Sequence, residues 1–162
     1  MKARIAAPLL FLPLLAVLST PVFAQGAAHI GYRGWGVRAG LSSNPDQVYG
    51  GFHWDMGEFA RNVRFRPSVE IGFGDHVTVL QGNAEVHYVF SKVQVWKPYV
   101  GGAAGVIYAD PDNGDSDTDL SLMGVGGVET KLKSATSFFI EGKVGLTNNE
   151  PDFKAGVGWT WK

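Results

Sequence analysis

The stretch FFIEGKVGL, residues 138–146, predicts a β-strand whose two faces differ chemically. Successive side chains of a strand point to opposite sides. One side of this strand is therefore uniformly apolar, with Phe138, Ile140, Val144 and Leu146. Glu141 and Lys143 share the other side. An acid and a base at mid-strand need surroundings that satisfy both charges, and this requirement guides the interpretation of the whole chain.

The same alternation occurs eight times along the chain, with Gly, Pro, Asn or Asp between the segments. The predicted strands are 34–43, 47–56, 62–74, 76–90, 97–109, 118–132, 136–147 and 152–161. No segment after residue 24 shows a helical period of 3.6 residues. Most of the 22 glycines fall inside these strands. Glycine inside strands is typical of close packing and curvature, as in a small closed barrel.

Sorting each strand by odd and even positions separates an apolar face from a polar one. The apolar face carries large side chains on all eight strands, among them Trp35, Val37, Leu41, Val48, Phe52, Val69, Ile71, Phe73, Leu80, Val86, Leu120, Leu122, Ile140, Val144, Phe153 and Val157. The fifth strand has no charge on either face, and we assign Tyr99, Ala103 and Ile107 to its apolar side. The polar face carries both charge signs at mid-strand positions.

Two architectures could use this pattern. A soluble sandwich buries its apolar face and exposes its polar face to water. An outer-membrane barrel turns the apolar face to lipid, has aromatic residues at the interfaces and keeps a polar interior. The mixed charges at mid-strand and the aromatic residues at strand ends favour the barrel. We therefore predict an all-β fold, an eight-stranded antiparallel up-and-down transmembrane barrel.

Aromatic residues on the apolar face are predicted to form one girdle. If the N-terminus lies in the periplasm, odd-numbered strands run outward and even-numbered strands run back. The residues at the periplasmic ends of the strands are then Trp35, Trp54, Phe65, Tyr88, Phe90, Tyr99, Phe138, Trp159 and Trp161. Amphipathic rings are stable at such an interface.

The polar face is predicted to line a narrow lumen filled by a network of charges. Its members are Arg38, Asp55, Arg64, Arg66, Glu70, Glu85, Glu129, Lys131, Glu141, Lys143 and Lys154. Eight strands enclose an interior just wide enough for side chains to fill. An unpaired buried charge is strongly destabilising, so we expect these groups to pair across the lumen.

The N-terminus has the features of a secretory signal peptide, residues 1–24, followed by a barrel domain, residues 25–162. Lys2 and Arg4 precede an apolar run, and VFA ends it at Ala24. Without Lys2 and Arg4, the 14 basic residues become 12 against 15 acidic ones, a formal charge of −3. This charge does not favour a nucleic-acid partner. The chain has no cysteine, so barrel closure has to provide the stability that disulfides give other small exported domains.

Several segments resemble the small eight-stranded outer-membrane β-barrels, the OmpA/OmpX-like and opacity-type surface proteins. They are RPSVEIGFGDHVTVLQGNAEVHYVF, KPYVGGAAGVIY, SFFIEGKVGL and FKAGVGWTW. The resemblance implies a location in the bacterial outer membrane and insertion by the outer-membrane assembly machinery. It also implies contact with outer-membrane lipid and lipopolysaccharide. The expected role is structural or in surface interaction, without catalysis or a cofactor, as a monomer.

Two candidate sites and two alternative functions remain open. The loop DPDNGDSDTD is a weak calcium candidate through Asp110, Asp112, Asp115, Asp117 and Asp119, but it lacks the complete EF-hand spacing. His53 and His87 lie on the polar face, and no serine has the G-x-S-x-G context of a hydrolase. The alternatives are a narrow ion-conducting pore and a soluble, exported lipocalin-like barrel. The lipocalin-like alternative inverts the two faces.

Overall fold

The computed structural model describes residues 29–162 except 75, 76, 94, 113, 133, 134 and 149. The predicted signal peptide, 1–24, lies outside the described residues. Eight strands follow in order: β1 His29–Ser43, β2 Gln47–Ala60, β3 Val63–Gly74, β4 Val77–Val89, β5 Trp96–Pro111, β6 Asp117–Lys131, β7 Thr136–Gly145 and β8 Phe153–Trp161. β1 begins earlier and β2 ends later than the alternation predicts, because these two strands continue pairing beyond the rest of the barrel, with His29 opposite Glu58.

The eight strands close into one antiparallel barrel, as the sequence predicts. Each strand pairs with its neighbours in sequence, and β8 pairs with β1 from Trp35 opposite Trp161 to Ser43 opposite Phe153. In an open sheet, the backbone groups on the outer edges of the first and last strands would have no partners. Closure of the barrel pairs these groups with each other. It therefore provides cohesion in a chain without cysteines. Among the described residues, no helix is long and apolar enough to cross a membrane.

The side chains point as an outer-membrane barrel requires. Large apolar residues such as Ile71, Ile140 and Leu122 are exposed on the outer wall, whereas Arg38 and Lys143 are buried inside. The lipocalin-like alternative requires the reverse orientation, and the structure contradicts it.

The assignment of the faces of β5 was wrong. Tyr99, Ala103 and Ile107 are buried in the lumen, and Val100 and Val106 lie on the outer wall. The only charge of inner parity on β5, Lys97, lies at the end of the strand, where solvent can satisfy a lysine on either face, so the pairing decides the matter. Ala103 lies opposite Glu85 of β4, and residues paired across two strands share a face.

An aromatic belt surrounds the end of the barrel where β1 begins and β8 ends, which we call the terminal rim; the opposite end is the distal rim. Trp35 packs against Trp161 at 4.8 Å between ring centroids and against Phe52 at 5.3 Å. Phe138 packs against Trp159 at 5.2 Å. Tyr99, predicted to belong to this belt, is instead buried in the lumen. On β5 the belt residue is Trp96, whose ring lies 6.3 Å from Phe138.

The two rims carry opposite charges. The terminal rim and its turns carry the cationic side chains Arg33, Arg61, Lys92, Lys97, Lys131 and Lys162. The distal rim carries the acidic side chains Asp46, Asp110, Asp112, Asp115, Asp117, Asp119 and Asp152. No lysine or arginine occurs in the distal turns as far as the structure describes them. The barrel is thus polarised along its axis.

Candidate functional site in the barrel interior

Five charged side chains meet at the centre of the lumen and form what we call the central network: Arg38, Glu70, Glu85, Glu141 and Lys143. They come from β1, β3, β4 and β7, and each is at most 4% exposed. Each projects inward because it occupies the polar parity of its strand. The closed barrel brings together groups that lie far apart in the sequence.

Arg38 and Lys143 share the three carboxylates of the central network. Arg38 Nη1 lies 2.9 Å from Glu85 Oε1, 2.9 Å from Glu141 Oε1 and 3.3 Å from Glu70 Oε1. Lys143 Nζ lies 2.6 Å from Glu70 and 2.8 Å from Glu85. Ser68 also donates a hydrogen bond to Glu85 Oε1 at 2.8 Å. Because each carboxylate contacts both cations, removing any one member changes the environment of all the others.

A second group extends the network toward the distal rim. Lys154 Nζ donates to Glu70 Oε2 at 2.6 Å and to Gln81 Oε1 at 2.8 Å. It also lies 4.6 Å from the centroid of the Tyr49 ring. Gln81 donates in turn to Glu150 Oε2 at 3.0 Å. Glu150 comes from the connection between β7 and β8 and is buried, so part of this connection folds inward toward the lumen.

The network also continues toward the terminal rim. Arg64 makes a two-point ion pair with Glu129, at 2.6 and 2.9 Å. The guanidinium carbon of Arg66 lies 4.9 Å from the centroid of the Phe139 ring. Tyr99 donates a hydrogen bond to Glu141 at 2.7 Å. Arg66 links the Arg64–Glu129 pair to the central network, since its guanidinium lies 3.6 Å from Glu129 and 3.9 Å from Glu141. The rings of Tyr99 and Phe139 pack around this link, so the lumen is less polar here than its sequence pattern indicates.

Two predicted members of the lumen network differ from the rest. Lys131 is exposed, and its assignment to the buried network was wrong: it is the last residue of β6, where the barrel opens to solvent. Asp55 is buried but contacts none of the central network in the described hydrogen bonds and ion pairs. It pairs with Lys162 at 3.0 Å and accepts a hydrogen bond from the backbone of Gly57. Asp55 thus anchors the chain end that follows β8.

The two histidines are part of the lumen packing, and His87 Nε2 lies 3.3 Å from Glu85 Oε2. His53 Nε2 lies 2.9 Å from Thr160 Oγ1, and its Nδ1 has no hydrogen-bond partner. A base in a hydrolytic triad is oriented by an acid through that second nitrogen. His87 stacks on Tyr99 at 4.9 Å between ring centroids. Both histidines are fully buried, so neither presents a base to a substrate at the surface.

One group of three potential metal ligands converges among the described residues: Glu85, His87 and Glu141. Arg38 already lies 2.9 Å from both Glu85 and Glu141. A divalent cation there would have to approach a guanidinium group at close range in a dry interior, which is strongly unfavourable. The five aspartates of the calcium candidate loop do not form a converging group in the part of the chain that the structure describes.

Gly127 is required for the position of Tyr99, and this leads to a testable prediction. A Cβ atom at Gly127 would lie 2.6 Å from the Tyr99 hydroxyl and would clash with the Ile140 carbonyl oxygen. We expect Gly127→Ala to displace Tyr99, weaken its bond to Glu141 and lower the free energy of unfolding by about 1–3 kcal/mol. Urea unfolding in lipid vesicles measures this change.

Gly82→Ala is the matched control, because a Cβ atom there meets nothing within 4 Å. Gly82 is exposed on the outer wall of β4. If both variants lost the same stability, the cost would come from changing a strand glycine and not from Tyr99.

Sequence reasoning missed several members of the lumen packing, among them Tyr49, Phe139, Met123 and Glu150. Tyr49 and Phe139 share parity with charged neighbours, His53 on β2 and Glu141 on β7. Parity alone therefore places both inside, although neither residue is assigned to a face in the sequence-based prediction. For Glu150 the sequence carries no signal, since its connection has no alternation.

Comparison with known proteins identifies the fold. No protein-family model matches the chain, and no curated protein matches it. Among solved structures, Neisserial surface protein A (NspA) is 14% identical, with a TM-score of 0.63 over 80% of this chain and 94% of NspA. The N-terminal β-barrel domain of OprF from Pseudomonas aeruginosa is 14% identical, with a TM-score of 0.56 over 80% of this chain and 97% of that domain.

A third solved structure, the outer membrane enzyme PagL, is 12% identical, with a TM-score of 0.52 over 80% of this chain and 99% of PagL. These three solved barrels belong to a surface protein, to a larger protein of which the barrel is the N-terminal domain, and to an enzyme. The shared barrel therefore does not indicate one activity. The comparison confirms the predicted resemblance at the level of fold: the chain has the fold of the small eight-stranded outer-membrane barrels.

Proposed function

We propose that this protein resides in the bacterial outer membrane and has a structural or surface-interaction role without catalysis. The observation that carries the proposal is the orientation of the side chains. An apolar outer wall with an aromatic belt at one rim surrounds a charged interior. A water-soluble barrel would not expose so many large apolar residues, whereas a lipid bilayer requires them.

In this proposal the terminal rim lies in the periplasm and the distal rim lies at the cell surface. Both ends of an eight-stranded up-and-down barrel lie on one side of the membrane, and short turns are typical of the periplasmic side. The longest connection, residues 146–152, joins β7 and β8 on the distal rim, whereas the other connections on the two rims are of similar length. The longest connection and the shared position of the start of β1 and the end of β8, the closing pair, support this orientation. The cell-surface partners would then meet an acidic rim.

The density of the central network argues against the narrow pore. Arg38, Glu70, Glu85 and Lys143 have side chains no more than 1% exposed. They join opposite walls of the lumen through direct contacts of 2.6–3.3 Å. Water-filled outer-membrane channels have many more strands, and an ion crossing here would have to separate these pairs.

The proposed partners are the lipids of the membrane, lipopolysaccharide in its outer leaflet and the assembly machinery that inserts the barrel. The protein acts as a monomer in this proposal. Support for insertion comes from β8, whose outward aromatic side chains Trp159 and Trp161 are part of the belt. Support for the lipid contacts comes from the continuous apolar wall.

Membrane fractionation tests the proposal. The mature chain should stay in the outer-membrane pellet after a carbonate or urea wash. It should also migrate differently on a gel before and after boiling, as closed barrels do. Release into the soluble fraction would contradict the membrane location.

Conductance and hydrolysis assays test the role. In planar bilayers the purified barrel should give no steady ion current, and it should not hydrolyse lipid or lipopolysaccharide esters. A steady current abolished by changing Lys143 would show that the lumen is a pore. Ester hydrolysis lost on changing His53 would show an enzyme.

A further inference from the structure

A cleft of about 650 Å³ opens on the terminal rim between two neighbouring turns, residues 61–62, which follow β2, and residues 90–93, which follow β4. Arg61 and Lys92 line its solvent side, and Tyr88 and Phe90 line its membrane side. Ser91 contributes a hydroxyl group. The cleft is separate from the central network, since none of its lining residues belongs to the lumen.

Backbone hydrogen bonds hold the two turns together. The amide of Val89 donates to the carbonyl of Asn62 at 2.8 Å, which joins one turn to the strand that leads into the other. The amide of Phe90 donates to the carbonyl of Pro98 at 2.9 Å. Asn62 is further fixed by its amide, which donates to Glu58 Oε2 at 3.3 Å. The backbone at Asn62 and Phe90 is thus fixed before any ligand binds, which reduces the entropy cost of ordering the cleft.

The chemistry of the cleft is that of a lipid headgroup site. Arg61 and Lys92 are both exposed and cationic, and the lining contains no acidic residue. Arginine and lysine bind phosphate oxygens, arginine through two parallel hydrogen bonds. Tyr88 and Phe90 form an edge-to-face pair at 5.1 Å and are each 44% exposed on the outer wall. Aromatic rings at this depth pack against the glycerol and the first acyl carbons of a lipid.

We propose that this cleft binds the phosphodiester headgroup of an anionic phospholipid, of the phosphatidylglycerol type, from the periplasmic leaflet. The inference rests on the proposed membrane location. The cleft is continuous with the lipid-facing wall through Tyr88 and Phe90, so a lipid can place its phosphate on Arg61 and Lys92 while its chains stay in the bilayer. The acidic distal rim offers no equivalent cationic site among the described residues.

Native mass spectrometry of the folded protein tests this proposal, with phosphatidylglycerol and phosphatidylcholine added in equal amounts. The wild-type protein should retain phosphatidylglycerol preferentially. Arg61→Gln with Lys92→Gln should lower that preference at least roughly tenfold, the factor expected for losing one charge-assisted hydrogen bond to the phosphate. Lys97→Gln with Lys131→Gln removes the same charge from the same rim outside the cleft, and this control should retain the preference.

Three outcomes would overturn the proposal. Equal retention of the two lipids by the wild-type protein would show no headgroup selectivity. Equal loss in both double variants would show general attraction to a basic rim and no defined cleft. Displacement of the lipid by millimolar glycerol phosphate would show a site for a soluble phosphate. Each variant is first inserted into phosphatidylcholine vesicles and checked for heat-modifiable mobility, so a failed barrel is distinguished from a failed lipid site.

Discussion

Replacing Lys143 with leucine is expected to lower the free energy of unfolding by about 3–5 kcal/mol, the cost of breaking a buried ion pair on one side only. Lys143 lies 2.6 Å from Glu70 and 2.8 Å from Glu85, at the centre of the lumen. Without it, three carboxylates share Arg38 and Lys154, and a net negative charge remains buried. Urea unfolding in phosphatidylcholine vesicles, followed by heat-modifiable mobility, measures the loss.

Two further variants separate the network from the substitution itself. Lys131→Leu makes the same chemical change at an exposed position outside the network, and it should change stability by no more than about 0.5 kcal/mol. Adding Glu70→Gln to Lys143→Leu removes one of the orphaned acids and should recover part of the stability. A larger loss in the double variant than in Lys143→Leu alone would contradict a shared, charge-balanced network.

Replacing Ile140 with arginine is expected to impair insertion, since an arginine facing lipid near the bilayer midplane costs ~2–4 kcal/mol. Ile140 is 47% exposed on the outer wall of β7, opposite Val128 of β6 and Val157 of β8. Its neighbours on both sides are therefore apolar and uncharged. The measured quantities are the fraction of protein folded into vesicles and its urea midpoint.

Leu132→Arg is the depth control for this variant. Leu132 is also 47% exposed, but it follows β6 on the terminal rim, where a charge costs only ~0–1 kcal/mol. If the two arginine variants folded equally well, the outer wall at Ile140 would not face hydrocarbon. The membrane location would then be wrong, whatever the state of the lumen.

The network and the outer wall also predict opposite responses to similar changes. A charge added at Ile140 should block insertion, whereas a charge removed at Lys143 should leave insertion possible and weaken the folded state. The reverse result would mean that the two faces of β7 are exchanged. These two positions lie three residues apart in one strand, so differences of expression or of local sequence do not explain a contrast between them.

Where charges mark one face of a strand, the sequence was sufficient to orient its side chains. On β7, Glu141 and Lys143 can be satisfied only in the interior, and this fixes Ile140 and Val144 toward lipid. On β5 the only charges, Lys97 and Asp110, lie near the strand ends, and the mid-strand apolar residues of both faces look equivalent in the sequence. The pairing with β4 places Tyr99 inside, where it donates to Glu141.

The sequence by itself determined the number of strands, their approximate ends, the barrel class and the inward position of most of the charges. It could do so because parity and turn residues are local properties of the chain. Only the tertiary structure decided which acid meets which base, that Tyr99 is a lumen residue and that Lys131 is not. It also decided that Glu150 reaches into the lumen, and that Arg61 and Lys92 line one cleft. These contacts depend on the stagger between strands and on barrel closure, which bring together residues 30 to 100 positions apart, and no local pattern records that distance.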